Sequence, residues 1–312
     1  MGTLLFNKDR WGWGLSISQC FALNALAPGL LVGSFAWQLR ETTIVHDRIG
    51  AVERMRLQSQ EVFSALTQRA VYVPCMVIFL YNVLQVPNAA WRSFLVEGLG
   101  FTSYELGLLS ICGSLFASAG LLAYKRWFFN TSWRQIYFWA TLLVSVFSVL
   151  QILLILRVNI KWGISDLAFS LGDDAIADFV QSIQFLPLVQ MYISMCPDGA
   201  EGTTYAILTT LANVAGAAAY NLGTLATGLW DVSNQTLSEG NFGGMWRLTL
   251  LTSLIQPVPL LLIRYLPGSK EEQYALQQCG VRHSWGGVVL LTVLFVSLFW
   301  TVVLSLVEIS SD

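Results

Sequence analysis

Charged residues are scarce in this chain of 312 amino acids, since Asp, Glu, Lys and Arg together make up 12% of it. A soluble domain carries about twice that share. Hydrophobic residues account for 55%, and the mean hydropathy is +0.59. The net charge of −2 is too small to predict a nucleic-acid partner. The composition therefore indicates an integral membrane protein whose main surroundings are the lipid bilayer.

The sequence also lacks the groups of residues that enzymes and metal proteins use. Its two histidines, His46 and His283, lie far apart in polar connections. The five cysteines are scattered and form no Cys-x-x-Cys pair: Cys20, Cys75, Cys112, Cys196 and Cys279. No candidate catalytic triad, phosphate-binding loop or zinc-ligand set is present. We therefore expect neither an enzyme nor a bound metal or cofactor.

Long apolar runs dominate the chain instead. Eight of them have the length of about 20 residues that lets an α-helix cross a bilayer. They are Leu15–Gln38, Ala70–Trp91, Tyr104–Tyr124, Arg134–Leu156, Gly172–Met195, Thr203–Trp230, Trp246–Leu266 and Gly286–Val307. We predict an all-α fold, a polytopic membrane bundle of about eight transmembrane helices. The sequence is compatible with the plasma membrane, the vacuole and the plastid envelope.

The connections between these spans differ in positive charge. Eleven Lys and Arg residues fall on one side of the membrane and six on the other, which predicts that the richer side is cytoplasmic. The connection 40–69 is then a cytoplasmic central loop. Its apolar residues have a loosely helical spacing, so we expect either a helix in the membrane interface or a solvated linker.

The fifth predicted span carries a polar stripe. Asp174, Asp178, Gln181 and Gln184 fall at i, i+4, i+7 and i+10, which is one face of a helix. That face is too polar to meet lipid, so it predicts an interior cavity and hence transport. An alternative applies to Asp173 and Asp174, which would remain hydrated if they lay in the first helical turn.

Other spans carry fewer polar groups. Asn82 and Asn88 of the second span share a face, where they either line a cavity or bind a neighbouring helix. Asn213 and Asn221 lie in the sixth span among small residues that predict close helix packing. The fourth span is nearly featureless, so we expect a lipid-facing scaffold helix there. The last span reads as an accessory helix.

Three stretches together resemble the folate–biopterin transporter family of the major facilitator superfamily. They are the run Gly172-Asp173-Asp174-Ala175 through Pro187, the corner Cys196-Pro197-Asp198-Gly199-Ala200-Glu201-Gly202-Thr203-Thr204-Tyr205-Ala206, and Asn213-Val214-Ala215-Gly216. The resemblance implies that the first span corresponds to the sixth of twelve family helices. Spans two to seven then correspond to the C-terminal six-helix half.

The resemblance also implies a division of the chain. Residues 1–39 hold the single preceding helix, 40–69 the central loop, 70–267 the six-helix transporter domain, and 268–312 a cytoplasmic connection with an extra helix. Five N-terminal helices of the family pattern have no counterpart in the chain. We expect an incomplete chain, with an oligomer or a protein that has lost transport as alternatives, because one half cannot alternate access alone.

The function implied by the resemblance is secondary active, proton-coupled transport of a pterin or folate. Asp178, then Asp174, is expected to accept the amino and ring N–H groups of a pterin. Asp178 and Asp173 are the candidates for carrying the proton. The other candidate binding residues are amides: Gln181, Gln184, Asn82, Asn88, Asn213 and Asn221. No Lys or Arg lies deep in a span, which favours neutral pterins over folates.

Two other functions remain open from the sequence. One is a non-transporting membrane scaffold or subunit derived from a half-transporter. The other is a facilitator for a different small solute, which the helices would suit equally well.

Overall fold

The computed structural model describes residues 14–38 and 50–311. Their helices are α1 (Ile17–Gln38), α2 (Ala51–Leu66), α3 (Arg69–Val83), α4 (Trp91–Ser93), α5 (Ser103–Ala123), α6 (Trp133–Ile155), α7 (Val158–Lys161), α8 (Asp166–Met195), α9 (Glu201–Thr227), α10 (Asn234–Ser238), α11 (Gly243–Ile255), α12 (Lys270–Gln278) and α13 (Ser284–Ser311). Turns of π-helix extend α4 over Phe94–Gly98 and α5 over Tyr124–Phe128, and a 3₁₀ segment follows α11 over Val258–Tyr265. Within the described ranges the only β-pairing is one bridge, Gln68 with Arg282.

The predicted all-α class is confirmed, and each predicted span falls on a helix. Among the residues that the structure describes, five helical stretches are long and apolar enough to cross a membrane: Ile17–Gln38, Ser103–Phe128, Trp133–Ile155, Gly243–Tyr265 and Ser284–Leu304. The other three predicted spans fall on α3, α8 and α9. Helix α3 is short, with 15 residues, whereas α8 and α9 have 30 and 27 residues and are less apolar. Part of the predicted central loop, residues 40–49, lies outside the described ranges, and α2 occupies its second half.

Helix α8 lies at the centre of the bundle, between α5 on one side and α6 on the other. Two glycines of α5 allow the first of these contacts. A Cβ added at Gly120 would meet the backbone carbonyl of Phe179, and one added at Gly113 would meet the carboxylate of Asp178. Small residues let helix backbones approach closely in membranes. The α5–α8 pair is therefore fixed by the glycines, and Asp178 is held against α5.

The remaining helices complete the bundle around α8. Helix α11 packs on α6, and α9 packs on α3 and α13. One apolar cluster joins the starts of α3 and α9 to the end of α8, and includes Val71, Met191 and Leu208. A second cluster joins the end of α6 to α11 and the α4 region, and includes Phe94 and Leu154. The middle of the bundle is left to polar residues.

Two of the predicted spans are broken rather than continuous. The second span was predicted as one helix over Ala70–Trp91, but α3 ends at Val83 and the chain is not helical again until Trp91. Pro87 lies in this break, where it lacks an N–H and disfavours helical geometry in the residue before it. Pro257 similarly follows the end of α11, and a 3₁₀ segment replaces the helix there.

The two breaks are joined to each other by side-chain amides. Gln85 Nε2 donates to the backbone carbonyl of Gln256 at 3.2 Å. Asn88 Nδ2 donates to Thr249 Oγ1 of α11 at 2.8 Å. Non-helical backbone at membrane depth persists only where protein covers it or where it lines a cavity. The amide hydrogen bonds from the first break to the second break and to α11 therefore stabilise both breaks together.

Helix α12, in a connection that we had predicted only as polar, binds two carbonyls of the bundle. Pro74 has no N–H, so it leaves the carbonyl of Ala70 without its usual i+4 donor. Gln273, fully buried, donates its Nε2 to that carbonyl at 2.8 Å. Gln277 Nε2 donates to the carbonyl of Ser194 at the end of α8, also at 2.8 Å. Helix α12 thus satisfies backbone groups that the transmembrane helices leave free.

This arrangement predicts the effect of Gln273→Leu. The variant leaves the Ala70 carbonyl buried without a donor, which costs about 1–3 kcal/mol, so the thermal unfolding midpoint of the purified protein should fall. In a Pro74→Ala background the new N–H donates to Ala70, so Gln273→Leu should cost much less there. Gln278→Leu, at an exposed position of the same helix, is the control. Equal losses in the two backgrounds would contradict the assignment.

Candidate functional site

The polar middle of the bundle contains two adjoining cavities of about 330 and 430 Å³. Pro87, Val144, Gln181 and Gln256 line both, so the two cavities adjoin, and together they are here called the central cleft. Both helix breaks border it. Its buried wall includes Thr141, Ser148 and Thr252, whereas Pro87, Ser110 and Gln181 are exposed, so the cleft opens on one side of the bundle.

Helix α8 turns its polar stripe towards this cleft. Asp174, Asp178, Gln181 and Gln184 all line it. The helix begins at Asp166, where Ser165 caps it by accepting from the N–H of Ala168. Asp173 and Asp174 therefore lie two turns inside the helix. The alternative that places them in the first turn, hydrated at the helix end, is wrong.

Asp173 differs from the other two carboxylates in its burial. Its side chain is 4% exposed, and its Oδ2 accepts from Gln151 Nε2 of α6 at 2.6 Å. Within the part of the chain that the structure describes, its Oδ1 has no hydrogen-bond partner. Asp174 and Asp178 are only partly buried. The stripe thus places two carboxylates at the cleft surface and one behind it.

A hydrogen-bond network joins three helices at the inner part of the cleft. Gln184 Nε2 donates to the Tyr81 hydroxyl at 2.9 Å and to Thr141 Oγ1 at 3.2 Å, and these two hydroxyls also bond each other. Tyr81 belongs to α3 and Thr141 to α6. Buried polar networks of this kind rigidify their surroundings when their members are satisfied. Gln184 therefore both lines the cleft and ties α8 to its neighbours.

The predicted asparagines divide into two groups. Asn82 and Asn88 line the cleft. Asn88 also binds α11 through Thr249, so it both lines a cavity and binds a neighbouring helix. Asn213 and Asn221 do not line the cleft. Helix α9 packs through Ala215, Ala219 and Gly223. Asn213 lies on its exposed side and Asn221 is partly buried.

The fourth predicted span, taken from the sequence as a lipid-facing scaffold, supplies a wall of the cleft. That interpretation is wrong, because α6 contributes Tyr137, Thr141, Ser148 and Gln151. These residues lie at i, i+4, i+11 and i+14 and so share one face. This spacing is visible in the sequence, but isolated hydroxyl residues in an apolar helix do not by themselves indicate a polar face. Trp91, Thr252 and Gln256 are further lining residues that the sequence did not identify.

The charge of the cleft is of one sign. Asp173, Asp174 and Asp178 line it, whereas its lining in the described ranges includes no Lys, Arg or His. The same ranges hold no group of three or more His, Cys, Asp or Glu residues placed to bind a metal ion. Carboxylates flanked by amides accept hydrogen bonds from N–H donors. The arrangement suits a neutral or cationic solute that presents several donors.

Known proteins with related sequences are membrane transporters. The folate-biopterin transporter of Synechocystis is 28% identical over 252 residues, covering 81% of this chain and 49% of the relative. Probable folate-biopterin transporter 2 of Arabidopsis thaliana is 24% identical, covering 60% and 36%. Folate transporter 1 of Plasmodium falciparum is 21% identical, covering 65% and 39%. No solved structure matches.

The chain spans about half or less of the length of these curated relatives. The model of the BT1 family matches residues 17–277, which is most of the chain. The match confirms the resemblance that was based on the run from Gly172 and the corner from Cys196. The family consists of transporters rather than enzymes. With its apolar helices, the protein is an integral multi-pass membrane protein. The chain belongs to the BT1 family.

Proposed function

We propose that this chain forms the solute-binding half of a secondary active transporter of the folate–biopterin type. The observation that carries the proposal is the stripe of carboxylates and amides on α8, which lines an open cleft in an otherwise apolar bundle. Such groups are expensive in a membrane and mark solute or ion pathways. The names of the relatives support the solute class. Residues 70–267 would be the six-helix domain, with 1–39 as the preceding helix, 40–69 as a central loop and 268–312 as an extension.

Recognition would depend on the two carboxylates at the cleft surface. A pterin ring carries an amino group and a ring N–H side by side, and one carboxylate accepts both through two charge-assisted hydrogen bonds. Asp178 is the first choice because Gly113 holds it in place on α5. Asp174 lies one turn away on the same face. Gln181 and Asn82 offer both donors and acceptors to the rest of the ring.

The proposal includes proton coupling, for which Asp173 and Asp178 are the two candidates. A carboxylate buried among apolar helices is costly unless it is paired with a cation or takes up a proton. Asp173 has one amide partner and no cation in the cleft lining. Proton uptake would remove its charge, so inward movement of a proton could accompany movement of the solute.

Alternating access takes two bundles that move around a shared site. We propose that the second bundle comes from the other half of a full-length transporter or from an oligomeric partner. The open side of the cleft, where Gln181 and Pro87 are exposed, is where such a bundle would complete the site.

The proposal predicts that Asp178→Asn weakens biopterin binding by about 10- to 100-fold, since charge-assisted hydrogen bonds are each worth about 1.5–3 kcal/mol. Calorimetric titration of the purified protein in detergent measures this. Asp198→Asn, in the exposed corner before α9, is the matched control and should bind normally. Equal affinity of Asp178→Asn and the unaltered protein would remove Asp178 from the site. No binding by the unaltered protein would favour a scaffold.

A second prediction concerns the choice between the two solutes. The cleft lining has three aspartates and, in the described ranges, no cation, so it should repel the carboxylates of folate. We expect biopterin to bind at least about tenfold more tightly than folate. Competition between the two for labelled biopterin measures the ratio. A preference for folate would show that a basic residue outside the described cleft completes the site.

A further inference from the structure

Asp173 and Gln151 form a part-buried polar pair in the first cavity that the recognition scheme does not use. Gln151 lies near the end of α6 and reaches across to α8, where its Nε2 is 2.6 Å from Asp173 Oδ2. Both residues line the 330 Å³ cavity. Asp173 is nevertheless almost fully buried, and its second oxygen is unpartnered within the described residues. It is thus the least accessible of the three carboxylates.

The surroundings of Asp173 are poor in other charges. On its own helix it is close to Asp174 and Asp178. The parts of α4, α5, α6 and α11 that line the same cavity contribute only uncharged side chains. Arg157, two residues beyond the end of α6, is already paired with Asp166 at 2.7 Å. Gln151 is therefore the main polar partner of this carboxyl group.

A glutamine is suited to a carboxyl group that changes its protonation. Its amide N–H donates to the charged carboxylate, as it does here. When the carboxylate has taken a proton from water, its new O–H can donate to the carbonyl oxygen of the same amide after a half-turn about the terminal torsion, which is a soft torsion. The same side chain therefore serves both states without movement of either helix.

We propose that Gln151 is a positioning residue for a proton carried on Asp173, and that this proton site is separate from the solute-binding carboxylates Asp174 and Asp178. The inference rests on the proposed function and deepens it. In the proton step an O–H bond forms on Asp173, its negative charge disappears, and nothing else is transferred. The partly buried carboxylates Asp174 and Asp178 then remain free to accept the N–H groups of the solute.

Infrared difference spectroscopy tests this in the purified protein without any solute. The carbonyl stretching band that protonated Asp173 contributes should titrate in the unaltered chain and be lost in Asp173→Asn, whereas the bands of the other carboxyl groups remain. In Gln151→Met, which keeps length and volume but has no N–H, the midpoint should move to higher pH by about one unit, because a donor that favours the charged form is lost. Gln135→Met, at an exposed position on α6, should not move it.

The outcomes separate this inference from the proposed function. If the titration midpoint of Gln151→Met equals that of Gln135→Met and of the unaltered protein, Gln151 has no positioning role. If the band disappears in Asp178→Asn rather than in Asp173→Asn, the proton and solute sites are not separate. Absence of biopterin binding would overturn the proposed function and leave the titration result standing. Thermal unfolding of each variant verifies that it is folded.

Discussion

The fold depends on the cost of placing the polar stripe of α8 inside an apolar bundle. Asp173, Asp174 and Asp178 would each be expensive against lipid, so the stripe must face other polar groups or water. The neighbouring helices supply these groups: Gln151 from α6 binds Asp173, and Tyr81 with Thr141 binds Gln184. The glycines of α5 bring that helix close enough to cover the other side. The central cleft is the space that remains.

The helix breaks also bring polar groups together inside the apolar bundle. The break around Pro87 carries Gln85 and Asn88 to hydrogen-bond acceptors at the end of α11 and within it. The break at Pro257 lies opposite and supplies the carbonyl that Gln85 binds. Helix α12 satisfies the carbonyl that Pro74 leaves free inside the continuous helix α3, because Gln273 donates to it. Each of these three prolines therefore has a glutamine or asparagine side chain bonded close to it.

Much of this architecture could be predicted from the order of residues. Apolar length placed every span on a helix, and the i, i+4, i+7 spacing identified the face of α8 that lines the cleft. The role of α6 was missed because hydroxyl groups in an apolar helix bond their own backbone; Thr141 and Ser145 both do so, and their pattern looks neutral.

Other features could not be predicted from sequence periodicity, because tertiary contacts determine them. The break between Val83 and Trp91 is stabilised by partners in α11 and directly after it, far along the chain. Whether an asparagine faces a cleft depends on how its helix is rotated: α9 turns its small residues inward, which leaves Asn213 on the exposed side. The start of α8 at Asp166 was missed because Asp173 and Asp174 look like helix-start residues.

The most direct test of the account is whether the stripe of α8 is in contact with water. In a chain whose five cysteines are replaced by serine, Gln181→Cys should react with a charged, membrane-impermeant thiol reagent, and biopterin should slow the reaction. Leu115→Cys, on an exposed apolar part of α5, should not react. A Gln181→Cys protein that is as unreactive as Leu115→Cys would show that the stripe faces lipid or sealed protein, and the carrier interpretation would then have no physical basis.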